Sequence, residues 1–202
     1  MKKYYEPELM DDFSIRDSRI DDALKELKII NNYLGGVSTT VSALKYFTRD
    51  KLISLKIIDV GSGSSDNLII AKNTYPNLQI ISVDKNISVL NYSKNSLQKI
   101  NSDAYRLPFK NECCDIVHIA LFLHHFNEDQ IEKLLNEFLR ICKKGIIIND
   151  LQRSLLALAG IKLLTVLFSK SILVKNDAPV SVKRSFNKSE IINFLRKSGV
   201  SN

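Results

Sequence analysis

One stretch restricts the fold more than any other: Lys56-Ile57-Ile58-Asp59-Val60-Gly61-Ser62-Gly63-Ser64-Ser65-Asp66. A short β-branched apolar run ends in a carboxylate, breaks into a Gly/Ser turn and gives way to a helix-like segment from Asn67, which reads as strand, tight loop, helix. In α/β folds this is where nucleotides bind. Gly61 and Gly63 let the backbone turn sharply and approach a ligand, and the amides opening the next helix face a polar or anionic group. A plain strand-to-helix turn has the same short pattern, so the rest of the chain must decide.

A dinucleotide-binding loop requires GxGxxG or GxGxxA. Here Asp66 stands where the third small residue belongs, which argues against NAD. The run hhDhGxGxG, with an acidic residue ahead of the glycines, resembles motif I of the class I S-adenosylmethionine-dependent methyltransferases. Asp59, Gly61 and Gly63 match it, and the resemblance implies that these residues and Ser62 bind the cofactor. Ser65 departs from it, standing where that family usually has its third glycine. A Cβ there, facing the methionine end of the cofactor, costs about 1 to 2 kcal/mol if the backbone is left-handed.

At 202 residues with 45% hydrophobic content, the chain fits one domain with a sizeable core. Cys113, Cys114 and Cys142 form no metal or disulfide spacing, so free thiols and a cytoplasmic location are expected. The opening MKKYYEPELMDDF has no apolar stretch behind its basic residues, which argues against a signal peptide. The net charge of +7 comes from scattered lysines without a block of like charge, the pattern of a solvated basic surface; no DNA partner is expected.

Residues 1–50 read as a helical amino-terminal cap. Ser18 caps a segment in which Ile20, Leu24, Leu27, Ile30 and Leu34 recur at helical spacing until Gly35-Gly36, and a second helix covers Thr40 to Phe47. The cap either packs on the sheet edge or acts as a lid, with Tyr4, Tyr5, Glu8, Met10 and Phe13 able to line it. After the loop, Leu68 to Tyr75 is helical and Gln79 to Val83 is a second strand ending at Asp84. An acidic residue at that point can accept hydrogen bonds from two ribose hydroxyls, which makes Asp84 the candidate ribose ligand, although it also fits a cap for a helix from Ile87 to Asn95. Lys85 and Asn86 would border the adenine. A third strand runs from Leu97 to Ile100. The segment Asp103-Ala104 followed by Leu107-Pro108-Phe109 resembles the family's DAxxLPF, which implies that Asp103 and Ala104 contact the adenine.

Cys114 to Ala120 reads as the fourth strand and leads into Leu121-Phe122-Leu123-His124-His125-Phe126, an arrangement similar to one common in small-molecule members of the family. It places Leu121 beside the cofactor and the histidines at the carboxyl edge of the sheet, where one imidazole can accept a substrate proton. Adjacent histidines on a short loop are expected to point apart and no third ligand stands at a suitable spacing, so no metal is assigned. Asn127 and Gln130 form a capping box for a helix with the stripe Ile131, Leu134, Leu135, Phe138, Leu139 and Ile141, stopped by Lys143-Lys144-Gly145. Gly145 to Asp150 is a fifth strand whose apolar run predicts cover on both faces.

Asn149-Asp150-Leu151-Gln152-Arg153 and the later Asp177 to Phe186 resemble the NDLxR and DxPxSxxRxF segments of a bacterial subgroup of small-molecule methyltransferases. The resemblance therefore runs over nearly the whole chain. Between them, Leu155 to Val174 is apolar nearly to the length of a membrane span, but Lys162, Lys170 and Gly160 interrupt it, so no transmembrane segment is expected. It reads as an insertion, 154–185, over an apolar acceptor pocket. A last helix covers Ile191 to Lys197.

The expected fold is a three-layer, Rossmann-like α/β domain over 51–202, with a mostly parallel sheet ordered 3-2-1-4-5 and the helical cap. Family members carry a further strand pair after the point where Asn202 falls. Without it the edge of the fifth strand is open, which predicts pairing into a homodimer. The expected activity is methyl transfer from S-adenosylmethionine to a small apolar or aromatic molecule, leaving S-adenosylhomocysteine. Two alternatives stand beside it. An RNA methyltransferase suits the basic charge, although Leu123-His124-His125-Phe126 occupies the place where enzymes acting on base amino groups carry D/N-P-P-Y/F. A non-catalytic cofactor-binding or interaction protein suits Ser65.

Overall fold

The computed structural model describes residues 1–12, 18–92 and 96–199. Strands β1 (Lys56–Val60), β2 (Gln79–Asp84), β3 (Gln98–Asn101), β4 (Cys114–Ala120) and β5 (Cys142–Asn149) form one parallel sheet in the order β3-β2-β1-β4-β5. The reversal of strand order on either side of β1 makes a switch point, and in open α/β sheets the crevice beyond the strand ends there is the ligand site. Ile57, Ile58, Asp59 and Val60 are all buried because β1 is central and covered on both faces.

Two cores flank the sheet. Below it, Ile131, Leu134, Leu135, Phe138 and Ile141 of α5 (Glu128–Ile141) pack on Ile58, Val83, Val117 and Ile119. Their spacing puts them on one helix face, and each fully buried side chain contributes roughly 1.5 to 3 kcal/mol. Asn127 accepts from the Gln130 amide at 3.0 Å and Gln130 accepts from the Asn127 amide at 2.9 Å, so the expected capping box forms. Above the sheet, Leu44 of α2 (Gly36–Phe47), with Leu68 and Ala71 of α3 (Asp66–Ala71), packs on Ile57, Ile80 and Ile116.

A third core stands off the sheet, at its carboxyl edge. Ile20 and Ala23 of α1 (Ser18–Tyr33) meet Ile161 of α6 (Leu155–Phe168) and Leu173, Val174, Ala178 and Val182 of α7 (Ile172–Arg184). The amino-terminal cap and the insertion are thus packed together over the strand ends. Glu26 of α1 fastens them further by accepting from the Ser169 hydroxyl and the Lys170 and Ser171 amides.

Several boundaries differ from the expected ones. The apolar run read as one segment is two helices, separated at Ser169 to Ser171, and Pro179 lies inside α7. The helix α2 starts at Gly36, not Thr40, because Gly35 takes the left-handed conformation (φ 85°) and reverses the chain within one residue. The helix α5 stops at Ile141 and β5 begins at Cys142, since the ladder to β4 pairs Cys114 with Cys142. Strand β5 lies at the edge of the described sheet and is largely half-buried, not covered on both faces. The helix α4 is Ile87–Tyr92, and α8 (Lys188–Lys197) starts behind an Asn187–Glu190 capping box. Phe13 and the expected helical residues 93–95 lie outside the described residues, as does Asn202. No helix among the described residues is long and apolar enough to cross a membrane.

Candidate active site

The loop after β1 is held from the end of β2. Ser62 donates its amide to the Val83 carbonyl (3.1 Å), and Gly63 donates to Asp84 Oδ2 (2.9 Å). The other oxygen, Asp84 Oδ1, accepts the Asn86 amide at 2.8 Å. Burial pushes the Asp84 carboxyl above its ordinary value, partly offset by these amides. Each carboxylate oxygen keeps a further lone pair, so Asp84 can still accept two hydroxyls. Gly61 has φ 62°, and a Cβ built there would lie 2.1 Å from the Phe122 ring. Glycine is required at this position by conformation and by space.

Ser65 is left-handed (φ 56°), the strained case anticipated for a non-glycine residue. Its side chain turns into the protein, where its Oγ bonds Ser82 Oγ at 2.6 Å. That hydrogen bond offsets part of the strain. Asp59 borders the loop cavity but is nearly buried, and its Oδ1 is engaged by His118 Nδ1 at 2.6 Å. From His118 a buried chain runs on through Thr40 Oγ1 (3.1 Å) to Asn149 Nδ2 (3.0 Å), which also reaches the Gly36 carbonyl (2.7 Å). An imidazole that donates from Nδ1 and accepts at Nε2 satisfies every polar atom of the chain. Asp59 therefore also ties α2 to the middle of the sheet.

Beyond Asp84, a cavity of about 420 Å³ is bordered by Val60, Val89, Ala104, Leu121 and Phe122, with carboxylates at its edges. Asp103 Oδ2 pairs with Lys85 Nζ at 2.8 Å and Oδ1 accepts the Tyr105 amide at 3.0 Å; the Lys85 ammonium holds its carboxyl below the usual value. Apolar walls for a flat base, one acid at its rim and a second acid with free lone pairs fit an adenosine group.

Leu121 borders this cavity, the loop cavity beside Asp59, and a third space of about 460 Å³. It has φ 50°, a conformation an L-leucine adopts only under constraint, here the bond from its amide to the Asn149 carbonyl (2.9 Å). The third space lies between Leu27 and Ile30 of α1, Ala157, Gly160, Ile161 and Leu164 of α6, and Ala178 and Val182 of α7. Leu163 and Phe168, in the apolar run read as cover for the acceptor pocket, do not line it: they are 61% and 74% exposed, because α6 turns its other face inward.

His124 and His125 stand where this third space meets the cofactor side. His124 is buried, with Nδ1 2.6 Å from Asp150 Oδ1; His125 Nδ1 lies 2.8 Å from Asp11 Oδ1. Burial alone would raise the Asp150 and Asp11 carboxyls, but the imidazoles hold both below their ordinary values, helped at Asp11 by Arg184 and the Glu8 amide. The rings do not point apart as expected: their centroids are 4.3 Å apart and tilted by 35°. A third side chain that sequence spacing could not supply, Glu8, brings Oε1 to 3.6 Å from His124 Nε2. It is buried, which pushes its carboxyl up, and it accepts the Ser181 hydroxyl at 2.7 Å. Tyr4 and Tyr5, expected to line the lid, are exposed; Glu8 and Met10 do line it.

The DxPxSxxRxF residues fasten this region. Asp177 accepts the Leu9 and Met10 amides, both at 2.9 Å. Arg184 donates to the His124 carbonyl (3.2 Å), the His125 carbonyl (2.9 Å) and Asp11 (2.8 Å). Arg153 of the NDLxR segment pairs with Glu190 at 2.5 Å. Every site residue expected from sequence borders the three joined cavities. His118 and Asp11 were not singled out, since neither has a local pattern; Glu8 was expected only as a lid residue and Asp150 only as part of the NDLxR segment.

Residues 58–148 match the methyltransferase domain family. No curated protein matches this sequence. Among solved structures, the plantazolicin methyltransferase BpumL, solved in complex with a pentazolic desmethylPZN analogue and S-adenosylhomocysteine, aligns at TM-score 0.61 and 20% identity over 92% of this chain and 73% of its own. An S-adenosylmethionine-dependent methyltransferase from Thermotoga maritima aligns at 0.58 and 20%, over 90% and 79%. One assigned to an antibiotic biosynthesis pathway in Anabaena variabilis aligns at 0.56 and 20%, over 79% of this chain. The chain spans 60% of that Anabaena structure's length and 50% of an O-methyltransferase-like structure from Nostoc punctiforme. At such identities the likeness establishes the fold. Residues 58–148 thus match a methyltransferase domain, set in a fold that this chain shares with S-adenosylmethionine-dependent methyltransferases.

Proposed function

We propose that the protein methylates a small, apolar or aromatic molecule held between α1, α6 and α7. The observation that carries this reading is the third cavity, walled in part by Leu27, Ile30, Ile161, Leu164, Ala178 and Val182 and sharing Leu121 with the cavity that carries Gly61 and Asp84. S-adenosylmethionine supplies an electrophilic methyl on a sulfonium, which departs as a neutral thioether, so no nucleophilic side chain is needed. The chain's own task is to align the acceptor with the methyl and to exclude water. Asp84 binds the ribose hydroxyls, Asp103 and Ala104 border the adenine, and Gly61, Ser62 and Gly63 with Leu121 flank the methionine end. Ile161 and Leu164 wall the acceptor, while His124 and His125 meet its polar atom. In this reading, 1–50 and the insertion 154–185 act together as the lid of the 51–202 domain.

Activity with labelled S-adenosylmethionine against phenols, quinones and polyketide-like compounds tests the reading. Leu164→Ser is expected to raise KM for the acceptor at least fivefold with the cofactor Kd unchanged. Equal shifts in both, or in neither, would move the acceptor elsewhere. Transfer to RNA but to none of the small molecules would overturn the substrate class.

A further inference from the structure

We propose that Glu8, His124 and His125 form a binding site for a first-row divalent cation, zinc above all, at the meeting point of the acceptor and cofactor cavities. Their ligand atoms, one from each side chain, lie within 4.8 Å of one another. A tetrahedral site with metal–ligand bonds near 2.0 to 2.1 Å has ligand–ligand edges of about 3.4 Å. Glu8 Oε1 and His124 Nε2 are already 3.6 Å apart, so closing the site needs a shift of roughly an ångström in the remaining ligand.

Proximity alone would be weak support, and what surrounds the three ligands is the stronger observation. A metal-bound histidine almost always donates its second ring N–H to a carboxylate, a carbonyl or water, which fixes the ring and leaves the other nitrogen's lone pair for the metal. Both histidines have this arrangement: Asp150 Oδ1 takes His124 Nδ1 at 2.6 Å, and Asp11 Oδ1 takes His125 Nδ1 at 2.8 Å. The carboxylates are anchored in turn. Asp150 accepts the Leu151 amide at 2.8 Å, and Asp11 accepts from Arg184 at 2.8 Å and from the Glu8 amide at 3.0 Å. Ser181 fixes the third ligand by donating to Glu8 Oε1. Glu8 and the histidines come from positions more than a hundred residues apart, and each is fixed by a partner of its own.

Charge points the same way. Glu8, Asp150 and Asp177 border the acceptor cavity and Asp11 the adjoining one, an excess of negative charge that the Arg184 guanidinium, bound to Asp11, offsets only in part. A divalent cation offsets most of that excess, and burial of Glu8 makes its carboxylate costly until a cation joins it. Two imidazoles and one carboxylate are a donor set that zinc uses where it keeps a position open. A cation held by these three side chains would border the acceptor cavity, which all three line. This deepens the proposed function, and rests on it only for what the cation would hold: an acceptor bearing a hydroxyl or enol oxygen.

The test is metal binding by the full chain, untagged and stripped with chelator, read by calorimetry with Zn²⁺ and by the visible bands of Co²⁺. One equivalent should bind with micromolar or tighter Kd, and affinity should fall at least tenfold in both Glu8→Gln and His125→Ala. His125 is the more exposed ligand, so His125→Ala should stay folded, checked by circular dichroism. No saturable one-to-one binding, or the same affinity in wild type and the folded variants, overturns the proposal. S-adenosylhomocysteine binding by the wild type is measured in parallel. Its absence from the wild type would strike the methyltransferase reading while leaving the metal site standing.

Discussion

The two halves of the site are built in different ways. The proposed cofactor side comes mainly from Asp59 to Ala104, closed by Leu121 and Phe122, and is held by backbone amides: Gly63 and Asn86 to Asp84, Tyr105 to Asp103. The acceptor side is assembled from Glu8 to Asp11, His124 and His125, Asp150, and Asp177 to Arg184, with bonds such as Leu9 to Asp177 bridging 168 positions. A site made of local turns forms wherever its strand and loop form. A site made of distant side chains forms only when the fold is complete, so its stability and its function are coupled.

That contrast breaks first at Arg184. This buried guanidinium ties the His124 and His125 carbonyls to Asp11, and Arg184→Met leaves those acceptors and a carboxylate without it. A loss of about 4 kcal/mol of stability is expected, as for other buried pairs that lose one partner. It is read from urea unfolding; a loss under about 1 kcal/mol would mean the acceptor side is not held in this way. On the cofactor side the largest effect belongs to Gly61→Ala, where left-handed strain and overlap with Phe122 should cost about 3 kcal/mol. The loss should appear in cofactor affinity together with the melting temperature. Ser65→Gly is the finer probe, since relief of strain and loss of the Ser82 bond oppose each other. Stability within about 1 kcal/mol of wild type is expected, and a tenfold loss of cofactor affinity would show that Ser65 contributes a contact of its own.

A pH dependence tests the acceptor side separately. Burial lowers the Lys3 ammonium from 10.5 to about 8, only partly countered by Glu128 and Glu190, and its Nζ lies 3.5 Å from the Phe186 ring centroid. The folded state then binds fewer protons at this group than the unfolded chain. Stability from Lys3 should therefore rise as pH increases from about 8 toward 10.5. Lys3→Met should remove that rise in thermal melts; an identical pH profile in the variant would show that Lys3 is not buried as described.

What could be read from sequence follows the same division. The strand, loop and helix around Gly61 and the acid ending β2 were legible because each depends on residues within a few positions of one another, whereas the five-strand order followed from the family resemblance. The Lys143-Lys144-Gly145 stop was misread because pairing of β5 with β4 overrode a local helix-ending signal. Gly35-Gly36 was read only as an end, although Gly36 also starts a helix. The convergence of Glu8 with His124 and His125 had no local trace, since side chains more than a hundred positions apart meet only through tertiary packing. Asp150 and Arg184 lay in recognised segments, but only contact with His124 and His125 reveals what they do.

The central claim is that the carboxyl edge beside Gly61 and Asp84 binds the cofactor. Calorimetric titration of S-adenosylhomocysteine into the full chain and into Asp84→Ala tests it most directly. One site is predicted in the wild type, weakened by about 1.5 to 3 kcal/mol in the variant, a Kd rise of about tenfold to more than a hundredfold. Equal affinity in the two proteins would remove Asp84 from the site, and no binding by the wild type would contradict the account.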